Sequence, residues 1–459
     1  MPWNVVILGG GYGGLTAARR LEKLLPPQSA RVTLVSDQNF MLNTTLLPGA
    51  SGGTLEPRHV VVPLREELHS THIRIGRVVG HDRGTKTVTY VPGEGDEETL
   101  HYDQLVVSLG STSKTLPVPG LQEHALGFKT LAEAIALRNR LISSMERAEA
   151  EEDLEARKAL LTFVFVGGGY AGLEGLAELQ DLGRDIIENY PRCKVTGMRF
   201  ILVEARDRVM QEINPALAEF ASAELRKRGI EIMTDTQVER IEADVVTLKN
   251  GMAIPCRTVC WTAGVTPVPV VAKLGFPLDG DRLAADRFCQ VQGTDDVWAI
   301  GDCAAIPDPA RKGQPCPPTA QHGMRQGRTV ARNVANRLAG KKPKPFRYKT
   351  LGVFVDMGRQ EAVAETVGIK WRGFPAWFLA RTYHLSQMPG YKRRLRITID
   401  WTVDLVFPRD TAELGQLGHP PRLEGPDDPS GGAPEAGPDE GIGLAGVALD
   451  DGSGSQARA

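Results

Sequence analysis

Cysteine is scarce in this chain, with six in 459 residues (Cys193, Cys256, Cys260, Cys289, Cys303 and Cys316) and no C-x-x-C pair. That usage argues against a disulfide scaffold and against a zinc ribbon, so no metal is expected and the thiols read as reduced. Charge of one sign is lacking as well: the formal net charge is −2, and without a basic surface a nucleic-acid partner is not expected. Long apolar runs are absent. The longest uncharged stretches, Ala159 to Leu173 and Thr258 to Ala272, are broken by Gly, Pro or Thr and fall short of the roughly 20 residues that span a bilayer. The N-terminus carries no basic region and its first apolar stretch, Val5 to Leu8, runs straight into glycine, so no signal peptide is expected.

What is present is ordinary globular composition, 41% hydrophobic and 24% charged, over a length that suits two or three domains. The informative feature is where the glycines fall. WNVVILGGGYGGLTAARRLEKL reads as a β-type run, a glycine turn and a helix with apolar positions at Leu15, Ala18, Leu21 and Leu25, and RVTLVSD follows as a second strand. Gly9, Gly11 and Gly14 meet the G-x-G-x-x-G spacing. Chemistry asks for one glycine in the tight turn, one where backbone approaches a pyrophosphate, and one for close helix–strand packing. The pattern returns in LTFVFVGGGYAGLEGLAELQDL with Gly167, Gly169 and Gly172, again followed by a strand, MRFILVEA. A single match is weak, but two in the same order indicate two dinucleotide sites. The residue closing the second strand of such a unit selects the ribose. Glu204 stands there in the second unit, where it would accept both ribose hydroxyls and repel a 2′-phosphate. In the first unit Ser36 takes that place with Asp37 beside it, so either Asp37 reaches in or Ser36 makes a neutral hydrogen bond.

Two further stretches, YDQLVVSLGS and TDDVWAIGDCA, read as buried strands that end in turns at Gly110 and at Gly301-Asp302. Taken in order, GGGYGG, YDQLVVSLGS, GGGYAGLE and VWAIGDCA resemble the flavoproteins with two dinucleotide-binding domains, over roughly residues 4–333. The resemblance implies FAD on Gly9, Gly11 and Gly14, with Gly110, Gly301 and Asp302 beside it, and NADH on Gly167, Gly169, Gly172 and Glu204. Thiol–disulfide reductases of this fold carry paired cysteines after the second strand of the FAD unit, and NFMLNTTLLPGASGGTLEP has none. That stretch is similar instead to type II NADH dehydrogenases, single-subunit enzymes that pass electrons from NADH through FAD to a membrane quinone. Thr44 matches their x-T-P-L-L-P, with Thr45 replacing proline. PPTAQHGMRQGRTVARNVANRL carries their P-x-A-Q-x-A-x-Q-Q pattern at Pro318, Ala320, Gln321 and Gln326, with Gly323 for alanine and Arg325 for the first closing glutamine.

By the same resemblance Glu174 corresponds to the glutamate where nicotinamide and flavin meet, and would orient the amide or relay a proton. Its other reading is an exposed first-turn carboxylate favoured by the helix dipole. Gln321, Arg325 and His384, the last at the family's tyrosine position, are expected to bind the quinone head-group and favour its developing anion. FRYKTLGVFVDMGRQEAVAE resembles the family's hairpin, and FPAWFLARTYHLSQMPGYKRRLRITIDWTVDLVFPRD its membrane-anchoring helices. From Lys341 to Asp400 there are 13 Lys and Arg against four Asp and Glu, with Trp371, Phe374, Trp377 and Phe378 among them. Such a composition suits an interfacial helix on an anionic membrane surface. A dimerisation or core helix pair is the other reading, so a homodimer stays open.

The expected architecture is α/β, with two Rossmann-like dinucleotide-binding domains for FAD and NAD and a C-terminal membrane-associating α segment. The FAD-binding domain comprises 1–118 and 271–340, the NAD(H)-binding domain 119–270, and a hairpin with amphipathic anchoring helices 341–417. Residues 418–459, with ten Gly and six Pro, are expected to form a disordered acidic tail. A peripheral enzyme on the cytoplasmic face of the membrane is expected. Two other functions stay open. One is a sulfide:quinone oxidoreductase-like enzyme, although no cysteine lies between Met1 and Asp185 to begin a sulfur relay. The other is a non-catalytic redox sensor that binds dinucleotides.

Overall fold

The apolar run Trp3–Leu8 forms strand β1, whose last four residues are buried. Burial on both faces is what a continuous apolar run selects, and it places β1 inside a parallel sheet. After the glycine turn, helix α1 (Tyr12–Leu24) directs Leu15, Ala18 and Leu21 into the core, and β2 (Ala30–Ser36) returns parallel to β1 with Asn4 opposite Arg31. The sheet runs in the order Val297–Ala299, Gln104–Val107, β1, β2, His72–Asp82, Thr87–Pro92, Glu98–His101. Its first five strands are parallel and the last two form an antiparallel extension. The computed structural model describes residues 2–413 other than 94, 312, 349 and 351, so the expected acidic tail lies outside the described residues.

The chain then builds the unit a second time. Strand β3 (Thr162–Val166), buried throughout, leads into helix α2 (Tyr170–Ile186) and the parallel strand β4 (Arg199–Val203). Their sheet is parallel throughout, in the order Ala125–Gly127, Thr258–Trp261, β3, β4, Glu231–Met233.

Both glycine turns are made by the same contacts. Gly9 and Gly167 hold φ of +98° and +111°, which L side chains rarely adopt. A Cβ on Gly14 would stand 1.9 Å from the Gly9 carbonyl oxygen, and one on Gly172 would stand 2.0 Å from that of Gly167. Each helix therefore leaves in backbone contact with the end of its own strand. The middle glycines differ: nothing lies within 4 Å of a Cβ on Gly11 or Gly169. The chain's own packing requires the first and third glycine of each turn and leaves the second open.

Helix α3 (Ala320–Leu338) crosses α1 at another close approach, where a Cβ on Gly327 would lie 2.5 Å from the Gly13 carbonyl oxygen. Thr319 caps α3, its hydroxyl accepting from the His322 N–H at 3.3 Å. An antiparallel sheet follows, β5 (Gly352–Asp356) with Ala362–Thr366 and Ile369–Arg372, then helices α4 (Gly373–Gln387) and α5 (Tyr391–Asp404). Among the described residues no helix is long and apolar enough to cross a membrane.

Buried ion pairs fasten the C-terminal elements to α2. Arg409, its side chain 8% exposed, lies 3.3 Å from Glu178, 3.2 Å from Asp185 and 3.5 Å from Asp404. It also donates to the Gly52 and Glu178 carbonyls at 2.9 and 3.1 Å. Asp181, one turn further along α2, takes Arg228 at 2.5 Å and Arg359 at 2.8 Å.

The glycine contacts predict opposite outcomes for two neighbouring substitutions. Gly172→Ala forces a methyl group into the Gly167 carbonyl and should cost about 1–3 kcal/mol, read as a lowered urea midpoint. Gly169→Ala meets open space and should cost no more than about 1 kcal/mol, the penalty of a poorer N-cap.

Candidate functional site

The first helical residues after the two glycine turns, Tyr12 and Tyr170, line one cleft of ≈ 1330 Å³, together with Thr44, Glu174, Gln321 and His384 among others. Neither α1 nor α2 has a side-chain N-cap, so the first-turn N–H groups at both turns are left for an anion. The open middle glycines, Gly11 and Gly169, leave room there for a group that comes close to backbone. These features fit the pyrophosphates of two dinucleotides.

Under the second turn Glu204 is fixed by two donors, the Gly168 N–H at 2.6 Å to Oε2 and the Arg206 N–H at 2.9 Å to Oε1. The first unit has a hydroxyl in the corresponding place. Ser36 is 4% exposed, and its Oγ lies 2.7 Å from where a Cβ on Gly10 would be, whereas Asp37 is exposed. The two loops thus present different groups to a ribose, a carboxylate in one and a buried serine with a free aspartate in the other.

Asp302 sits in a 3₁₀ turn after the strand Val297–Ala299. Its Oδ2 accepts from the Ser111 hydroxyl at 2.6 Å and lies 3.6 Å from Lys129 Nζ. Gly110 and Gly301, at φ +74° and +75°, have open space around an added Cβ, and the Gly301 N–H donates to Gln326 Oε1 at 2.8 Å. Thr44 opens a short 3₁₀ turn on the cleft wall. The Asn43 side chain just before it is held by the Tyr12 hydroxyl at 2.6 Å and the Thr45 hydroxyl at 2.8 Å. Ala320 is the first residue of α3 and lines the cleft.

Gln321, Arg325 and His384 meet through aromatic rings that the motif reading did not include. Gln321 donates to the Gly352 carbonyl at 3.2 Å and accepts from the Tyr348 hydroxyl. Arg325 places its guanidinium 5.0 Å from the centre of the Tyr348 ring. Among the described residues the cleft wall takes Gln321, Met324 and Arg328 from α3 and leaves out Arg325, whose charge acts on Tyr383 of that wall. His384 packs edge-on against Phe354 and Tyr383, with ring centres at 5.9 and 5.7 Å. Burial pushes its imidazole down to about 4, so it is neutral at physiological pH and brings no positive charge to a developing anion. The signal for these partners was faint: Tyr383 directly precedes His384, but Tyr348 and Phe354 come from segments with no chemical motif.

Glu174 projects from the second turn of α2 and accepts the Asp356 N–H at 2.9 Å. Burial holds its carboxyl well above the usual carboxylate range. It is not the exposed first-turn carboxylate that the helix dipole alone would place there. Behind it on α2, Glu178 is also raised by burial, with Arg409 opposing the shift, and Asp356 is raised by burial against Arg381.

Two strand–glycine turn–helix units facing a shared cleft define a dinucleotide-dependent oxidoreductase. The chain belongs to the pyridine nucleotide-disulphide oxidoreductase family, whose model it matches over residues 3–327. It is 29% identical over 421 residues to a probable NADH dehydrogenase of Dictyostelium discoideum, covering 90% of this chain and 91% of that one. It is 28% identical to the type II NADH:quinone oxidoreductase of Mycobacterium tuberculosis, covering 88% and 89%. Its fold is similar to the solved structure of NDH2 from Plasmodium falciparum in complex with NADH, with a TM-score of 0.83 at 17% identity, over 90% of this chain and all of that one.

The state of His384 makes a pH prediction. Its folded value of about 4 lies below the roughly 6.5 of a free imidazole, so its contribution to stability is present above that value and lost as pH falls toward 4. His384→Gln should therefore flatten the acid side of the stability curve, measured by urea unfolding between pH 4 and 7. The activity profile above pH 5 should keep its inflections.

Proposed function

We propose that the cleft holds FAD and NADH together and that the chain is an NADH:quinone oxidoreductase of the type II class. The observation that carries this reading is the duplicated turn, each with an open middle glycine, whose two helices begin on the wall of one cleft at Tyr12 and Tyr170. In this reading FAD is held by Gly9, Gly11 and Gly14 with Ser36 and Asp37, and by Thr44, Gly110, Gly301, Asp302 and Ala320. NADH is held by Gly167, Gly169, Gly172 and Glu204. The chemistry supplied by bound FAD is the transfer of two electrons from NADH to a quinone.

The chain's own residues do the rest. Glu204, with both oxygens already oriented by backbone N–H groups, favours an unmodified ribose over a 2′-phosphate. Glu174 is placed to hold or relay a proton beside the cleft, because burial holds its carboxyl well above the usual carboxylate range while Oε1 is fixed by the Asp356 N–H. Gln321 offers a neutral hydrogen-bonding group for the acceptor, and Tyr348 holds it in place by donating to its Oε1. Arg325 acts as a positioning residue: it lies outside the cleft wall, its guanidinium over the Tyr348 ring and its charge acting on Tyr383 of that wall.

Anaerobic titration tests the assignment. The purified protein should be yellow, be bleached by NADH far faster than by NADPH, and regain its colour with a soluble quinone. Bleaching by sulfide and not NADH would favour the sulfide-oxidising alternative, and absence of flavin would overturn the reading.

An anionic membrane surface is the proposed partner for α4 and α5. Tyr391, Leu395, Ile399 and Val403 are exposed and spaced one helical turn apart, and Phe374 and Phe378 are exposed on α4. Lys392, Arg394 and Arg396 are exposed beside the stripe. An apolar stripe flanked by cations is the composition of a helix lying in a bilayer interface. Replacing Leu395 and Ile399 together by Glu removes two side chains worth about 1.5–3 kcal/mol each when fully buried. The variant should cease to sediment with phosphatidylserine-containing vesicles, and binding by the parent protein should weaken as salt is raised. Equal sedimentation of variant and parent contradicts the docking face.

A further inference from the structure

We infer that Asp308, Cys316 and His322 form a binding site for zinc or a similar divalent transition metal, independently of the function proposed above. The segment between the short strand Ala304–Ala305 and α3 doubles back on itself. Cys316 donates its N–H to the Ile306 carbonyl at 2.8 Å, and Asp308 donates to that of Gln314 at 2.9 Å. This pairing sets Asp308 and Cys316 side by side, and Thr319, by capping α3, brings His322 to them in the first turn. A carboxylate oxygen, a sulfur and an imidazole nitrogen then lie within 4.8 Å of one another. The three residues are 7%, 3% and 5% exposed. None of the hydrogen bonds found among the described residues joins any two of them.

Each of the three has a hydrogen-bond partner outside the trio, Cys316 Sγ reaching the Pro307 carbonyl at 3.9 Å, so what converges is three ligand atoms of different chemistry that face one another without bonding to one another. A mixed oxygen, sulfur and nitrogen set suits Zn²⁺ and does not suit Mg²⁺ or Ca²⁺, which take oxygen ligands. Three protein donors leave a fourth position for water. Two of the donors are already oriented from behind: the Thr319 hydroxyl is 2.8 Å from His322 Nδ1, and Asp308 accepts from the Ala310 N–H and Arg311 Nε, both at 2.8 Å. The Arg311 side chain is 49% exposed and neutralises the outer side of Asp308. Access comes from two sides, because Asp308 and His322 line the main cleft and Cys316 lines an adjoining pocket of ≈ 390 Å³. On binding, the Cys316 thiol releases its proton to solvent, and the thiolate and the Asp308 carboxylate offset the ion's charge, leaving the site with Arg311 at one net positive charge. The ion would tie this hairpin to the first turn of α3, which carries Ala320 and Gln321. Sequence reading expected no metal because the ligands are not grouped in a compact cysteine or histidine motif.

The test is titration of the chelator-dialysed holoprotein with Zn²⁺, read by competition with a coloured zinc indicator. One equivalent should bind, with affinity reduced roughly 100-fold or more in Cys316→Ser and in His322→Gln and unchanged in Cys256→Ser, whose thiol is buried elsewhere. Co²⁺ in place of Zn²⁺ should show the intense ligand-field absorption of a four-coordinate thiolate site at wavelengths longer than the flavin bands. Each variant is compared only if it keeps the parent's far-UV spectrum and flavin content, and Asp308→Asn serves where one of the others does not fold. Less than one equivalent bound, or equal affinity in parent and folded variants, overturns the site.

Discussion

Contact between the end of a strand and the helix that leaves it, at hydrogen-atom distance, organises this protein. Gly14 against the Gly9 carbonyl and Gly172 against the Gly167 carbonyl set the angle at which α1 and α2 depart. That angle points both helix N-termini, uncapped by side chains, into the same cleft. The crossing of α3 on α1 through Gly327 and Gly13 extends the constraint, because it fixes where Ala320 and Gln321 reach the cleft wall. A methyl group at any of these contacts would shift an element that carries chemistry, and one at Gly11 or Gly169 would shift none.

A second constraint is electrostatic. Glu178, Asp181 and Asp356 are withdrawn from most of the solvent in one region between α2 and β5, and burial of an isolated carboxylate costs several kcal/mol. Arg228, Arg359 and Arg409 offset that cost by direct pairing, and Arg381 acts on Glu178 and Asp356 through its charge. Such networks contribute little net stability compared with an apolar core, but removing one partner strands a buried charge. Here the network has a structural consequence. It fastens the chain beyond α5 to the same helix that carries Glu174, so the proposed membrane face and the cleft are parts of one rigid arrangement.

Much of the fold was legible because the features concerned are local. Buried parallel strands announce themselves as apolar runs, and a turn that needs φ above zero announces itself as glycine, so both duplicated units could be read from their own residues. Glu204 was legible for the same reason, standing at the end of its strand. The acceptor side was less so. Tyr348, Phe354 and Tyr383 join Gln321, Arg325 and His384 only through tertiary packing, and nothing in the spacing of FRYKT or GVFVD marks those rings. Arg325 lies over an aromatic ring outside the cleft wall and His384 is held neutral for that same reason, since partners far away in sequence determine both burial and orientation. The buried state of Glu174 likewise depends on β5, well over a hundred residues downstream.

The central proposal is that one cleft keeps the entry of hydride and the exit of electrons at different residues of its wall, Glu174 for the first and Gln321 for the second. Single-turnover stopped-flow kinetics of a Gln321→Leu variant tests this most directly. Flavin reduction by NADH should stay within about twofold of the parent rate, while reoxidation by a soluble quinone should slow by roughly tenfold or more, as expected when a hydrogen-bonding group is removed from the acceptor alone. Equal slowing of both steps, or no change in either, would contradict the division of the cleft.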